Sequence, residues 1–166
     1  MRPTGVYGPH ERDYYLMVKS IAQGFDFSVG YRRQLLTFVY VKDLASAVFD
    51  ALESGVRRKS YLLTDGKTYT QSEFRSIVKH LLGKRFVVPV KAPLWIVGIV
   101  CAIAERIAAA KGKASTLNRD KYKILRQRNW TCDITPAVND FGYHPRYDLR
   151  QGLEETIRWY RDNGWL

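Results

Sequence analysis

The sequence predicts an α/β fold, on three observations. A β-branched and aromatic run, Phe38 to Val41, leads straight into a segment with helical spacing. Short strand-like runs then alternate with helical segments along the chain. The helical segments carry their own start and stop residues. At 166 residues with 46% hydrophobic content, the chain is long enough to bury a core and is read as a single domain, 1–166.

Taken in order, Arg2 to Pro9 (RPTGVYGP) opens as one short strand ending in a Gly-Pro turn. Glu11 to Gln23 follows as a helix with Tyr14, Met17, Val18 and Ile21 inward, stopped at Gly24. Phe25 to Gly30 reads as a strand, and Tyr31 to Gln34 as a polar hairpin leading to Phe38–Val41. Asp43 stands where an N-cap belongs. Leu44, Ala47, Val48, Ala51 and Leu52 share one helix face, and Gly55 suits a left-handed residue after the helix.

Ser60 to Thr64 is the next strand, with a turn at Asp65-Gly66. Thr70 and Glu73 form a capping box for a helix carrying Phe74, Ile77, Val78 and Leu81, ending at Gly83. Arg85 to Val90 is a strand closed by Pro89 and Pro93. Leu94 to Ala110 is a helix whose apolar run is shorter than the roughly 20 residues a bilayer needs. It is read as buried by the domain or covering a partner, in preference to lying on a membrane surface. Thr135 caps a short helix with Pro136 at its first position, and Gly142 ends it. Asp148 and Gln151 box the last helix, whose stripe is Leu153, Ile157 and Tyr160 before Gly164.

The net charge of +11 attracts phosphates, acidic lipids or nucleic acid. The basic run from Lys111 to Arg128, followed by Trp130, could suit single-stranded nucleic acid, but a solvated helix face is preferred over either a nucleic-acid or a membrane partner. Cys101 and Cys132 lie far apart, which favours free thiols in a reducing compartment, and the protein is expected to be cytoplasmic. The N-terminus has no apolar signal core. His10, His80 and His144 are scattered, so no metal site is expected. Neither a Walker loop, a GxSxG elbow nor a GxGxxG fingerprint is present. Tyr15 and Lys19 stand four apart, a spacing that can serve acid–base chemistry, but they are read as structural.

Four segments in this order, RPTGVYGP, TFVYVKDLA, YLLTDGKTYTQSEF and DFGYHPRYDLRQGLEETIRWYRDNGWL, resemble the C-terminal half of extended short-chain dehydrogenases/reductases, the NAD-dependent epimerase/dehydratase proteins. The resemblance implies the C-terminal, substrate-binding portion of an NAD(P)-binding Rossmann-type fold. It implies NAD or NADP as cofactor of the complete enzyme. The family's GxxGxxG, catalytic Ser or Thr and Tyr-x-x-x-Lys precede the strand that resembles Arg2 to Pro9, so no catalytic residue is assigned. The chain is expected to be a fragment that is inactive and binds the cofactor only weakly by itself.

Carried over, Pro3, Thr4 and Val6 lie near the nicotinamide end of the cofactor, and Tyr7 and Arg12 face the substrate. Sugar-nucleotide members often have an arginine where Leu35-Leu36 stands, with Arg32 and Arg33 upstream here. The substrate is therefore expected to be a sugar nucleotide or an apolar alcohol or ketone. The partners expected are that small molecule and the missing Rossmann half, with self-association through exposed core surface as a further expectation. The alternative function is a basic binding module for an acidic partner such as nucleic acid.

Overall fold

The structure is a computed structural model describing residues 1–110 and 119–166. It is α/β, with eight short strands and seven helices among those residues. The opening run is not one strand: it divides at Thr4 into β1 (Arg2–Pro3) and β2 (Gly5–Tyr7). β1 pairs parallel with β6 (Leu62–Leu63), whereas β2 pairs parallel with β5 (Phe38–Tyr40) in the register Gly5↔Phe38, Val6↔Val39, Tyr7↔Tyr40. The break arises because the chain changes partners at Thr4, whose N–H and hydroxyl both donate to the Leu63 carbonyl.

Helix α1 (Arg12–Ala22) begins one residue later than expected because Glu11 is its N-cap, accepting from the Asp13 and Tyr14 N–H groups. The expected hairpin does not form. Instead β3 (Phe25–Val29) pairs parallel with the distant β8 (Val88–Ala92), and β4 (Leu35–Leu36) pairs antiparallel with β7 (Tyr69–Thr70). Local turn residues suggested a sequential neighbour, but long-range pairing won. Pro89 lies inside β8, where the missing N–H is tolerated by a strand with one partner.

Helix α2 (Val41–Glu53) starts at Val41, so Asp43 is the third helical residue and not the cap. Gly55 has φ +70, the left-handed conformation expected just after the helix. Ala47 is buried on α2, but Val48 and Leu52 are exposed, because no described element packs over their side. The capping boxes of α3 (Gln71–Leu81) and α7 (Leu149–Asp162) both form. Helix α4 spans Leu94–Ala110 and α5 Arg119–Arg126. Lys111 and Lys113 of the basic run lie outside the described residues. In α6 (Thr135–Phe141) the cap is Ile134, and Thr135 is the first helical residue because the Asp133 carboxylate takes its N–H at 2.9 Å.

One core joins Tyr7, Val18, Ile21, Phe38, Tyr40, Phe74, Val78, Leu149, Leu153, Ile157 and Tyr160, and so fixes β2 and β5 between α1, α3 and α7. A second joins Ala47, Tyr61, Leu63, Ala137 and Tyr143, packing α2 and α6 on β6. Cys101 is buried, Cys132 is half-buried and both are free thiols.

Candidate functional site at the carboxyl end of the first strand

In parallel α/β sheets, ligands meet the carboxyl ends of the strands, where loops and helix starts converge. Here that edge is formed by Pro3–Thr4 after β1, beside Leu63–Thr64 at the end of β6. Pro3 is exposed, while Thr4 and Val6 are half-buried. The hydroxyl of Thr4 is 3.2 Å from the Leu63 carbonyl and still has acceptor capacity. Gly5 lies so close to Tyr14 that a Cβ there would meet the phenol oxygen. Arg12 is exposed on the first turn of α1.

Tyr7 lies elsewhere. It is 1% exposed, and its hydroxyl donates to the Asp148 carbonyl at 3.2 Å. The Phe38 ring meets it nearly edge-on, with centroids 6.1 Å apart. The structure thus brings Pro3 and Thr4 to this edge, sets Val6 in the middle of β2 opposite Val39, and buries Tyr7 against α7.

Beside this edge is a polar network that sequence reasoning missed. The Asp65 N–H donates to the Phe38 carbonyl at 2.8 Å, and the Asp65 carboxylate accepts from the Tyr69 hydroxyl at 2.6 Å and the Lys67 N–H at 2.9 Å. The Leu149 N–H reaches the Tyr69 oxygen at 3.3 Å. Burial pushes the Asp65 carboxyl above its usual value, partly offset by Tyr69. The Asp65-Gly66 turn was legible in sequence, but the ties from the Asp65 N–H to Phe38 and from the Leu149 N–H to Tyr69 were not.

A second hub is Glu155 of α7. It accepts from the Tyr40 hydroxyl at 2.7 Å, from Lys42 Nζ at 2.6 Å and from the Tyr147 hydroxyl at 3.3 Å. Asp43 accepts from the Arg146 and Tyr147 N–H groups at 3.1 and 3.0 Å, which pins the start of α2 to the segment before α7. A groove of about 790 Å³ lies between α2 and residues 140–146. It holds none of the sequence-derived site residues, and its Asp43, Asp50, Glu53 and Asp140 would repel a phosphate-bearing ligand.

Seven of the phenols are shifted away from base chemistry. Burial, followed by neighbouring carboxylates, pushes Tyr7 and Tyr14 up; burial also leads the rise at Tyr40, Tyr69, Tyr143 and Tyr160, and Tyr61 reaches about 12. A catalytic tyrosine needs the opposite shift. The Tyr15 hydroxyl donates to the Trp165 carbonyl at 2.6 Å, and Lys19 lies over the ring face, 5.4 Å from its centroid.

The carboxylates should make the protein acid-sensitive. Glu73 is lowered by the Thr70 hydroxyl and N–H, Asp140 by Lys59 and then Tyr61, Asp148 by the Gln151 N–H, and Glu155 by Lys42 and then Tyr40. Folded values below the unfolded ones, about 3.9 for Asp and 4.3 for Glu, give stability present above those values and lost as pH falls through the folded ones. Asp65, raised, opposes this trend. The urea midpoint should therefore drop between about pH 5 and pH 3. A midpoint unchanged to pH 3 would contradict these assignments.

No family model matches the chain. Over 168 residues it is 28% identical to UDP-glucuronate 4-epimerase 6 of Arabidopsis thaliana, covering 93% of this chain and 32% of that protein. It is 23% identical to the decarboxylating sterol-4-alpha-carboxylate 3-dehydrogenase of Saccharomyces cerevisiae, covering 96% of this chain and 48% of that one. In structure it superposes on a dTDP-glucose 4,6-dehydratase of Streptomyces venezuelae, solved with NAD bound, with a TM-score of 0.71 and 21% identity, over 99% of this chain and 44% of that one. A UDP-glucose 4-epimerase of Thermotoga maritima, solved with UDP-glucose, gives a TM-score of 0.68 at 19% identity, over 98% and 45%. The chain spans about half the length, or less, of the curated relatives it matches. Its relatives in sequence include extended short-chain dehydrogenases/reductases and NAD-dependent epimerase/dehydratase proteins, and the solved structures it superposes on share their fold.

Proposed function

We propose that this chain, 1–166, is the substrate-binding C-terminal part of an NAD(P)-dependent epimerase, dehydratase or reductase, inactive without a dinucleotide-binding half. The observation that carries this reading is the position of Pro3 and Thr4 at the carboxyl edge of the parallel pair β1–β6, with Val6 just beyond in β2, in a chain matched along nearly its whole length by such enzymes. In this reading Pro3, Thr4 and Val6 offer backbone and one hydroxyl to the nicotinamide end of NAD or NADP. Arg12, exposed at the start of α1, faces the substrate, and Tyr7 acts from below by fixing β2.

The substrate is a sugar nucleotide or an apolar alcohol or ketone. Leu35 and Leu36 in β4 favour the apolar choice, while the exposed Arg32 and Arg33 just before them offer the fork a diphosphate needs. The pyrophosphate of a dinucleotide requires a glycine-rich turn opening a helix. Gly5 and Gly8 do not make one, and Pro9 lacks an N–H. Calorimetric titration with NAD should therefore give no saturable binding tighter than about 1 mM. Binding at about 1 µM or tighter would overturn the reading.

A further inference from the structure

Helix α4 has an outward side that nothing described covers. At about 100° per residue, Trp95, Ile96, Ile99, Val100, Ile103 and Ile107 fall within an arc of about 140°. They are between 38% and 67% exposed, and the charge among them is Arg106 alone, also exposed. The inner side is occupied: Cys101 is buried, and a Cβ on Gly98 would stand 3.4 Å from the Tyr122 ring of α5. The six outward side chains, at about half exposure, present several hundred Å² of apolar surface, as much as the largest patch on an ordinary monomer.

The segments on either side of this helix in sequence are basic. Residues 84–110 and 119–132 together contain nine Lys or Arg against two Asp or Glu, which is +7 of the total +11. Lys91, at the end of β8, and Arg126 and Arg128, at the end of α5, are exposed. The strand pair that leads into α4 is apolar on one face as well, with Phe25, Phe27 and Val88 exposed in the register Phe25↔Val88 and Phe27↔Val90.

We propose that the outward side of α4 docks on an anionic lipid surface, with Trp95 and the isoleucines entering the headgroup boundary and the surrounding cations meeting lipid phosphates and carboxylates. No described helix is long and apolar enough to cross a membrane, so α4 lies in the plane of the interface. Tryptophan is favoured at that depth, and long basic side chains can keep their charge at the headgroups while their stems cover apolar surface. Charge selects lipid over a second copy, because facing two such helices would bring two strongly positive segments together. This docking stands independently of the function proposed above.

The test is co-sedimentation of the whole chain with vesicles of phosphatidylcholine, with or without about a third phosphatidylserine. Partitioning should be about tenfold stronger on the anionic vesicles and should weaken as salt rises from about 0.05 to 0.5 M. The charge-neutral double variant Ile99→Ser/Ile103→Ser alters only exposed side chains. It should retain the wild-type circular dichroism and lose partitioning about tenfold. Three results would overturn the proposal. One is no partitioning at low salt. Another is equal partitioning of the double variant, which reduces the effect to bulk charge. The third is a dimer in sedimentation velocity that the double variant dissolves without any vesicle binding, which assigns the face to a second copy.

Discussion

Replacing Gly152 by alanine should destabilise the protein by about 3 kcal/mol, although the same change in an open helix stabilises by up to about 1 kcal/mol. Gly152 lies buried on α7 against Tyr7. A Cβ there would run into the Tyr7 hydroxyl and stand 2.7 Å from its Cζ and 2.8 Å from its Cε2. The ring has no room to retreat: the Tyr14, Phe38 and Tyr40 rings surround it at 6.3, 6.1 and 5.4 Å between centroids. The melting temperature should fall by about 6–12 °C in calorimetry. Adding Tyr7→Phe should recover part of the loss, since the hydroxyl is removed but the 2.7 Å approach to Cζ remains. A Gly152→Ala variant as stable as the wild type would show that α7 does not seat on β2 as described. The consequence reaches the site, because β2 continues directly from Pro3 and Thr4.

The second large effect is expected at Asp43. The residue is 3% exposed, and its carboxylate takes two backbone N–H groups from the segment before α7. Asp43→Ala leaves both donors without a partner and removes a negative charge from the first turn of α2, a loss of about 3 kcal/mol. Asp43→Asn keeps the shape but has one acceptor oxygen in place of two, so it should lose roughly half as much. Urea unfolding of the three proteins checks the order wild type, Asn, Ala. Equal midpoints for wild type and Ala would rule out Asp43 as the tie between α2 and α7.

Where the determining contacts are close in sequence, the fold could be read from the residues. Thr70 with Glu73 and Asp148 with Gln151 are three apart, and both capping boxes form. Gly55, Gly83, Gly142 and Gly164 take positive φ just beyond their helices, as expected. Val18 and Ile21, Phe74 and Val78, and Leu153, Ile157 and Tyr160 are buried, as their spacing requires. Asp43 shows how such reasoning fails. An aspartate near a helix start resembles a cap, but its partners lie 103 and 104 residues away. Of the candidate site, local sequence yielded little: Pro3, Thr4 and Val6 were named from a family resemblance, and the ties of Asp65 to Phe38, of Tyr69 to Leu149 and of Glu155 to Tyr40 and Lys42 were missed because they join different elements.

The sequence by itself determined the α/β class, the helices with their capping signals, and the charge balance, since each follows from residues within a turn or two of one another or from composition. Tertiary structure alone decided that Arg2–Tyr7 divides between two strand partners and that β3 joins β8 across more than sixty residues of chain. It also decided that Tyr7 is buried and that the apolar side of α4 faces outward. The physical reason is the same throughout. A strand's hydrogen bonds and a side chain's burial are completed by groups far along the chain, and no local propensity specifies which of the available surfaces will supply them.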